Sequence, residues 1–387
     1  MGLMFSWIIG ADVSAAEPPA LPRTQAEVVQ RLRVADRKLM PQGRLPWSSN
    51  DEGRIGWTTA YAIRAMVRVA VVTKDRVWLD RAVDLCQQAW ALTDPLRYVT
   101  DYRGQMRWGW SARNLSDNRQ PIVWFVESGH MADAMTDTAS ELDRWPKASE
   151  ADRRMANQLR EWAALLLEAF EPQWRKGVGG ETGTYVFGVD EPHKAHRGRR
   201  ITDGSLRTMR EVPLPLNQQL LGGKAMIRLG QQPGGERWKQ RALELWSRMQ
   251  SVLIHDPDGG WTWPYWPKME AWYPSPEPVH YAGIDLSFVR LLRETEWQVV
   301  SDAQWAGAVA TTRRVLDEQS MAIIIDGKQR QRFKVVTPEI GIGLDEWGRW
   351  WERDCGRWQN AMRILWKGES PSAWLGWAEL LSGEQCF

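Results

Sequence analysis

The chain has 387 residues, with 50 Lys+Arg against 48 Asp+Glu, 3 Cys, 5 His and 26 Trp. A net charge of +2 speaks against a nucleic-acid binder that works by neutralising phosphates, and 43% apolar with 25% charged residues excludes general disorder. Tryptophan is the anomaly, at 26 residues against 7 Tyr and 7 Phe. An indole is both a large core filler and a flat apolar plate with one donor, on which a sugar ring can stack.

At the start, residues 3–9 are a short apolar run, followed by Val13-Ser14-Ala15-Ala16 and Glu17-Pro18-Pro19. This pattern reads as a secretory signal over residues 1–16, although it has no positive n-region. The alternative is a buried N-terminal strand. The expected mature chain, residues 17–387, is then a single domain that is secreted or periplasmic. No other apolar stretch reaches ~18 residues, so no transmembrane helix and no membrane insertion are expected. Cys86, Cys355 and Cys386 have no metal-binding spacing and allow at most one disulfide.

Helix-period segments follow, with apolar positions at i, i+3, i+4 and i+7. They cover about 56–74, 77–93, 122–142, 150–174, 214–230, 236–253, 279–297, 302–318, 344–366 and 371–382. Strand-like pieces are few, at 184–188, 261–266, 322–325 and 333–336, and long loops rich in Gly, Pro and Arg connect the helices. Binding sites concentrate in such loops.

An internal repeat organises these helices. Ala65-Met66-Val67-Arg68-Val69 matches Ala225-Met226-Ile227-Arg228-Leu229, an offset of 225 − 65 = 160. Trp78, Arg81, Ala82 and Leu85 then match Trp238, Arg241, Ala242 and Leu245, and both copies run into Asp-Pro. Weaker copies start at Ser287 and Ala134. Repeated helical hairpins bury their faces only by stacking on neighbours. The fold class is therefore mainly all-α. The expected architecture is an α/α toroid, an incomplete or complete (α/α)6-type barrel, with small β-hairpins in its rim loops.

In such a toroid the first helix of each hairpin lines the inside and opens on one rim. The repeat puts Trp57, Asn217, the Val279–His280 pair and Val126–Glu127 at equivalent helix starts, with His130 one turn further in. His280 could act as acid or base, with Glu277 or Asp285 setting its tautomer. Glu127 and His130, at i and i+3, could form a second acid/base pair. Asn217 could bind a hydroxyl or a carboxylate, or simply cap its helix. In the loop Asp101-Tyr102-Arg103, Tyr102 could protonate a leaving oxygen and Arg103 clamp a carboxylate. Trp57, Trp108, Trp110, Trp261, Trp263 and Trp266 fall at helix starts or in loops and are expected on the rim. Trp78, Trp238, Trp246 and the C-terminal Trp347, Trp350, Trp351, Trp358 and Trp366 are expected in the core. The basic run from His193 to Arg200 could attract a polyanionic glycan. No metal set, phosphate loop, dinucleotide fingerprint or nucleophile elbow is present, so no cofactor is expected.

Leu214-Pro215-Leu216-Asn217-Gln218, then Asp258-Gly259-Gly260-Trp261-Thr262-Trp263 and Glu277-x-x-His280-x-x-x-x-Asp285, resemble the α/α-toroid domain of carbohydrate-active enzymes. The resemblance is nearest to the C-terminal helical domain of D-glucuronyl C5-epimerases and of uronate-polysaccharide lyases, and covers about residues 55–300. It implies a neutral or acidic glycan lying across the rim, Tyr and His as acid/base groups, and aromatic platforms; Tyr281, next to His280, is the alternative proton donor to Tyr102. Epimerases place β-rich domains before the toroid, whereas here about 50 residues precede the first hairpin. Three functions follow as expectations. The first is proton abstraction from a uronic-acid glycan by a secreted lyase or epimerase. The second is glycoside hydrolysis by two carboxylates among Glu127, Asp101, Glu277 and Asp285. The third is glycan binding without catalysis.

Overall fold

The computed structural model describes residues 24–114, 116, 119–177, 182–188, 191–192, 212–267, 278–315, 320–322, 330–332 and 371–381. The segments 1–16, 193–200, 333–336 and 344–366, and residues Glu277, Cys355 and Cys386, lie outside the described residues. For His280 only the backbone is described.

The described residues contain ten α-helices: α1 Gln25–Leu39, α2 Thr59–Thr73, α3 Arg76–Ala91, α4 Phe125–Arg144, α5 Glu150–Glu168, α6 Leu216–Gly230, α7 Glu236–Gln250, α8 Val279–Arg293, α9 Asp302–Val315 and α10 Pro371–Leu380. Helices α10, α2, α4, α6 and α8 pack side by side in that order, and α3, α5, α7 and α9 each back the inner helix that precedes them. This is the inner and outer layering of an α/α toroid, as the repeat predicts. The apolar surplus of α2 comes from its inner place: 11 of its 15 residues are buried. An outer helix such as α7 buries one face only, with Trp238, Ala242, Leu245 and Met249 inward at helical spacing. The repeat-matched Trp78 and Trp238 are 5% and 6% exposed, so these indoles are core.

Two features depart from expectation. Helix α1 has no counterpart in the sequence reading. It is strongly polar and buries only Val28 and Leu32, yet Thr24 caps it by accepting the Glu27 amide. The run Arg54–Thr73 is long and apolar enough to cross a bilayer, against the expectation that no such segment exists, but it is largely buried among the other helices. Cys86 is unpaired, and burial pushes its thiol up to about 12.

Four antiparallel two-stranded ribbons decorate the ring: β1 Ser111–Ala112 with β2 Ile122–Val123, β3 Trp174–Lys176 with β4 Gly183–Tyr185, β5 Ile254–His255 with β6 Trp261–Thr262, and β7 Ser320–Ala322 with β8 Arg330–Arg332. One glycine pair sets the closest approach of two inner helices. A Cβ on Gly129 of α4 would meet the Gly222 backbone of α6 at 2.9 Å.

The ring's two ends differ. At one end the inner-helix starts are tied together: Asn50, before α2, bonds Glu127 of α4, and Tyr265, before α8, stacks on Tyr281 at 5.5 Å and accepts the Leu216 amide of α6. The other end holds a charged cavity of about 130 Å³ between the later turns of α4, α6, α8 and α10, lined among others by Lys224, Arg228, Arg290 and Glu379. Buried Asp133 joins three of its cationic lining residues from behind, paired with Arg64 at 3.3 Å, with Lys224 at 3.0 Å and with Arg228.

Candidate functional site

The N-terminal rim is built around Glu127. Residues 50–58 make a tight turn over the start of α4, with Gly53 at φ 72° and one π-helical turn at Arg54–Thr58 leading into α2. Single π turns often mark functional positions. Asn50 holds both sides of the arrangement. Its Oδ1 accepts the amides of Ile55 at 2.7 Å and Gly56 at 3.3 Å, two donors that a helix start leaves unpaired. Its Nδ2 donates to Glu127 Oε2 at 2.6 Å and to the Trp110 carbonyl at 3.1 Å. The carboxyl lies against bare backbone. A Cβ on Gly53 would stand 2.5 Å from Glu127 Oε1, and one on Gly56 would stand 2.6 Å from Glu127 Cβ.

Burial pushes the Glu127 carboxyl up to about 8, against the Asn50 hydrogen bond and with a further contribution from Asp94. Glu127 is therefore a neutral carboxylic acid at pH 7, the form able to donate a proton. His130 sits one turn along α4 in an aromatic corner, its ring centre 4.3 Å from Tyr61 and 5.1 Å from Trp57. It is fully buried, whereas Trp57 keeps a partly exposed edge.

A second cluster follows along the loop that carries Asp101. Asp101 is 4% exposed and organises its own turn, accepting the amides of Arg103 at 2.8 Å and Gln105 at 3.0 Å. Arg103 and Arg107 lie 3.6 and 3.9 Å from its other oxygen, and the Arg103 guanidinium covers the Tyr102 ring at 5.3 Å. Glu191 joins from the far side, accepting the Gly188 amide at 2.8 Å. Burial raises Glu191 to about 7, although Arg107 and Arg103 pull it down. Burial and Glu191 push Tyr102 up to about 12, so its hydroxyl keeps its proton. Asp94 bridges the two clusters electrostatically. Burial lifts it to about 6, despite two hydrogen bonds from Ser111.

The structure brings together Glu127, His130 and Trp57, and separately Asp101, Tyr102 and Arg103. It moves others out of the expected site. Trp110, Trp261 and Trp263 are 1%, 1% and 0% exposed, so they are core side chains, not sugar platforms. Trp266 is 8% exposed and donates to the Pro213 carbonyl. Trp108 is half-buried, but its face is taken by Trp90, stacked at 4.8 Å and in turn stacked on Trp162 at 4.9 Å. Asp285, expected as an imidazole partner, is wholly buried and accepts Trp263 Nε1–H at 2.8 Å. Asn217 is buried at the start of α6, where its Oδ1 takes no hydrogen bond, and it is not bonded to Glu127. Tyr281 is half-buried against Tyr265. Glu277 and the His280 side chain lie outside the described residues.

The sequence reading passed over Asn50, Glu52, Arg107 and Glu191. The Asn50-Asp51-Glu52-Gly53 turn did carry a signal, a glycine-ended polar turn before an apolar helix. The approach of Glu191 is long-range and has no local pattern. No group of three or more His, Cys, Asp or Glu side chains that could hold a metal ion occurs among the described residues.

The chain matches no protein-family model and no curated protein. Solved structures do match its fold. An α-1,6-mannanase from a Salegentibacter species aligns with a TM-score of 0.54 at 12% identity, over 93% of this chain and 98% of that one. An inactive variant of that enzyme, with two neighbouring aspartates replaced by asparagine and α-1,6-mannotriose bound, aligns with a TM-score of 0.55. A family 76 glycoside hydrolase from a bovine Bacteroides thetaiotaomicron strain aligns with a TM-score of 0.50 at 13% identity, over 92% of this chain and 76% of that one. The fold is that of the α/α-toroid carbohydrate-active enzymes. The nearer likeness to the epimerase and lyase domain finds no support among these neighbours.

Proposed function

We propose that this protein is a carbohydrate-active enzyme of the glycoside hydrolase kind, with Glu127 as its general acid. The observation that carries the reading is the buried Glu127 carboxyl beneath the turn of the N-terminal rim, which burial raises to about 8 and which Asn50 holds through Oε2. A glycosidase needs a second carboxylate as base or nucleophile. Glu52 supplies it in this reading, because it adjoins Gly53, where an added Cβ would stand 2.5 Å from Glu127 Oε1. The neighbouring mannanase loses activity when two adjacent aspartates are replaced. This chain has no Asp-Asp pair, and its one adjacent acidic pair among the described residues is Asp51-Glu52. The acids therefore come from two elements instead of one dipeptide. A separation of about 5–5.5 Å between the reacting carboxyls would give retention and about 6.5–9.5 Å inversion. The substrate in this reading is an α-linked glycan of the mannan type, met outside the cell if residues 1–16 act as a signal.

A second reading, proton abstraction from a uronate by a lyase or epimerase, is favoured by Arg103 and Arg107 flanking a protonated Tyr102. That trio offers a carboxylate clamp beside a proton donor. One experiment separates the two. The full chain is incubated with α-1,6-mannan, other neutral glycans and uronate polysaccharides, and both new reducing ends and ultraviolet-absorbing unsaturated products are followed. Reducing ends without absorbance, abolished by Glu127→Gln, support hydrolysis. Absorbing products overturn it in favour of elimination. Binding with neither product would make the protein a glycan-binding module.

A further inference from the structure

Asn50 is the most fully engaged polar side chain on the rim, and its bonds settle which way its amide faces. Two backbone amides, from Ile55 and Gly56, point at one atom, which must be the carbonyl oxygen. The Trp110 carbonyl faces the other atom, which must be the NH2 group. That same NH2 group meets Glu127 Oε2 at 2.6 Å. Oε2 is thus already an acceptor, and no hydrogen bond among the described residues reaches Oε1, which faces the bare Gly53 backbone.

We propose that Asn50 is a positioning residue that holds the proton of the Glu127 carboxylic acid on Oε1, the oxygen turned toward the Gly53 turn. The inference deepens the hydrolase reading and rests on it for its catalytic meaning. The choice of Oε1 over Oε2 stands on the hydrogen bonds, and the presence of the proton on the burial of the carboxyl.

The surroundings leave Asn50 as the sole bonded partner of this carboxyl among the described residues. Asp94 acts on Glu127 only through its charge, while accepting two bonds from Ser111. Asp51 and Glu52 on the turn are engaged by Arg113 at 3.2 Å and Arg119 at 3.7 Å. Arg54 opens the π turn and is exposed. His130, further along α4, packs against Trp57 and Tyr61. Because the same Asn50 oxygen accepts the Ile55 and Gly56 amides of the π turn that leads into α2, the orientation of the acid is tied to the approach to the next inner helix. A proton on Oε1 lies against the Gly53 turn, at the one carboxyl oxygen that Asn50 leaves unbonded.

The discriminating variant is Asn50→Asp. It keeps an oxygen for the Ile55 and Gly56 amides, and aspartate is a good helix cap. It replaces the donor facing Oε2 by a second carboxyl, and the two groups then share one proton across Oε2. Difference infrared spectroscopy of the full chain against Glu127→Gln reads the protonated Glu127 carboxyl directly, with or without activity. The expected result is a protonated band in the wild type at pH 7. In Asn50→Asp that band moves, and the titration splits into two steps, the upper at least one pH unit above the wild-type midpoint. Where hydrolysis is measurable, kcat falls by about 10²–10⁴-fold while KM holds. A merely structural role for Asn50 would lower the melting temperature and leave band and midpoint in place, and that result overturns the proposal. Absence of a protonated wild-type band at pH 7 overturns it as well. If the infrared pattern is as expected but no glycan is cut, the hydrolase reading fails and the proton assignment stands.

Discussion

Lys224 on α6 places its ammonium 3.0 Å from Asp133 on α4, with 2% and 0% of the two side chains exposed. Arg64 and Arg228 converge on the same aspartate from α2 and α6. One carboxylate thus joins three consecutive inner helices at the end of the ring away from Glu127. Breaking a buried ion pair is costly because the charge left behind has lost its water.

Asp133→Asn should therefore cost about 3–5 kcal/mol, since buried Arg64 and Lys224 and part-buried Arg228 lose a common charge partner. Lys224→Met should cost clearly less, because Asp133 retains both arginines. Urea denaturation of the two variants measures the difference. Equal losses would mean that Asp133 is not the hub.

Glu127 makes stability depend on pH with a definite sign. Its carboxyl is raised from 4.5 to about 8 in the fold, so the folded state keeps a proton that the unfolded chain releases. Its contribution is complete below pH 4.5, declines as pH rises and is gone above about 8. Glu127→Gln removes that slope. Its melting temperature should exceed the wild type's at pH 8, and the gap should close toward pH 4.5. Activity should be lost at both pH values. A gap that does not change with pH would show that the carboxyl is not held neutral.

The rim glycines give a steric test. A Cβ at Gly56 would stand 2.6 Å from Glu127 Cβ, against backbone-anchored atoms with no room to move. Gly104, with φ 72°, has nothing within 4 Å. Gly104→Ala should thus cost only the left-handed backbone strain, about 1 kcal/mol, with activity retained. Gly56→Ala should displace Glu127 and lower kcat about 10²-fold, as expected for a misplaced catalytic group. Comparing kcat and melting temperature for the two variants separates loss of geometry from loss of stability.

What the sequence reveals follows from the range over which each signal is written. The toroid is legible because Trp78, Ala82 and Leu85 recur as Trp238, Ala242 and Leu245, and burial at period 3.6 is a local pattern repeated in the chain. Glu127, Trp57 and His130 are legible as neighbours because the repeat aligns helix starts. Asn50, the partner that orients Glu127, is not, because a contact 77 residues away depends on how a turn folds back. The division of the Trp residues between core and rim is illegible for the same reason. Trp110, Trp261 and Trp263 lie in loops and ribbons, but those ribbons fold inward and bury them. Loop position says little about exposure when the loop carries its own core. Helix α1 is not legible because its two buried residues, Val28 and Leu32, leave almost no apolar period.

Trp263 and Asp285 show what that inward packing costs. Asp285 is wholly buried on α8, and burial holds its carboxyl well above the usual carboxylate range, against the Trp263 hydrogen bond and the charge of Lys224. Trp263 Nε1–H donates to Oδ2 at 2.8 Å, while Oδ1 accepts nothing. Trp263→Phe removes the donor and leaves a buried carboxyl with neither oxygen bonded by a protein donor. The expected loss is about 1–3 kcal/mol beyond that of the smaller ring. Asp285→Leu in the same background removes the orphaned acceptor and should recover much of the loss, since replacing both partners of a buried hydrogen bond by apolar groups is nearly neutral. A double-mutant cycle on urea midpoints gives the coupling. A coupling near zero would mean that Trp263 stabilises the ring by packing alone. Hydrolytic activity should survive in Trp263→Phe, because in the reading argued above the proton is delivered by Glu127 and not by this buried pair.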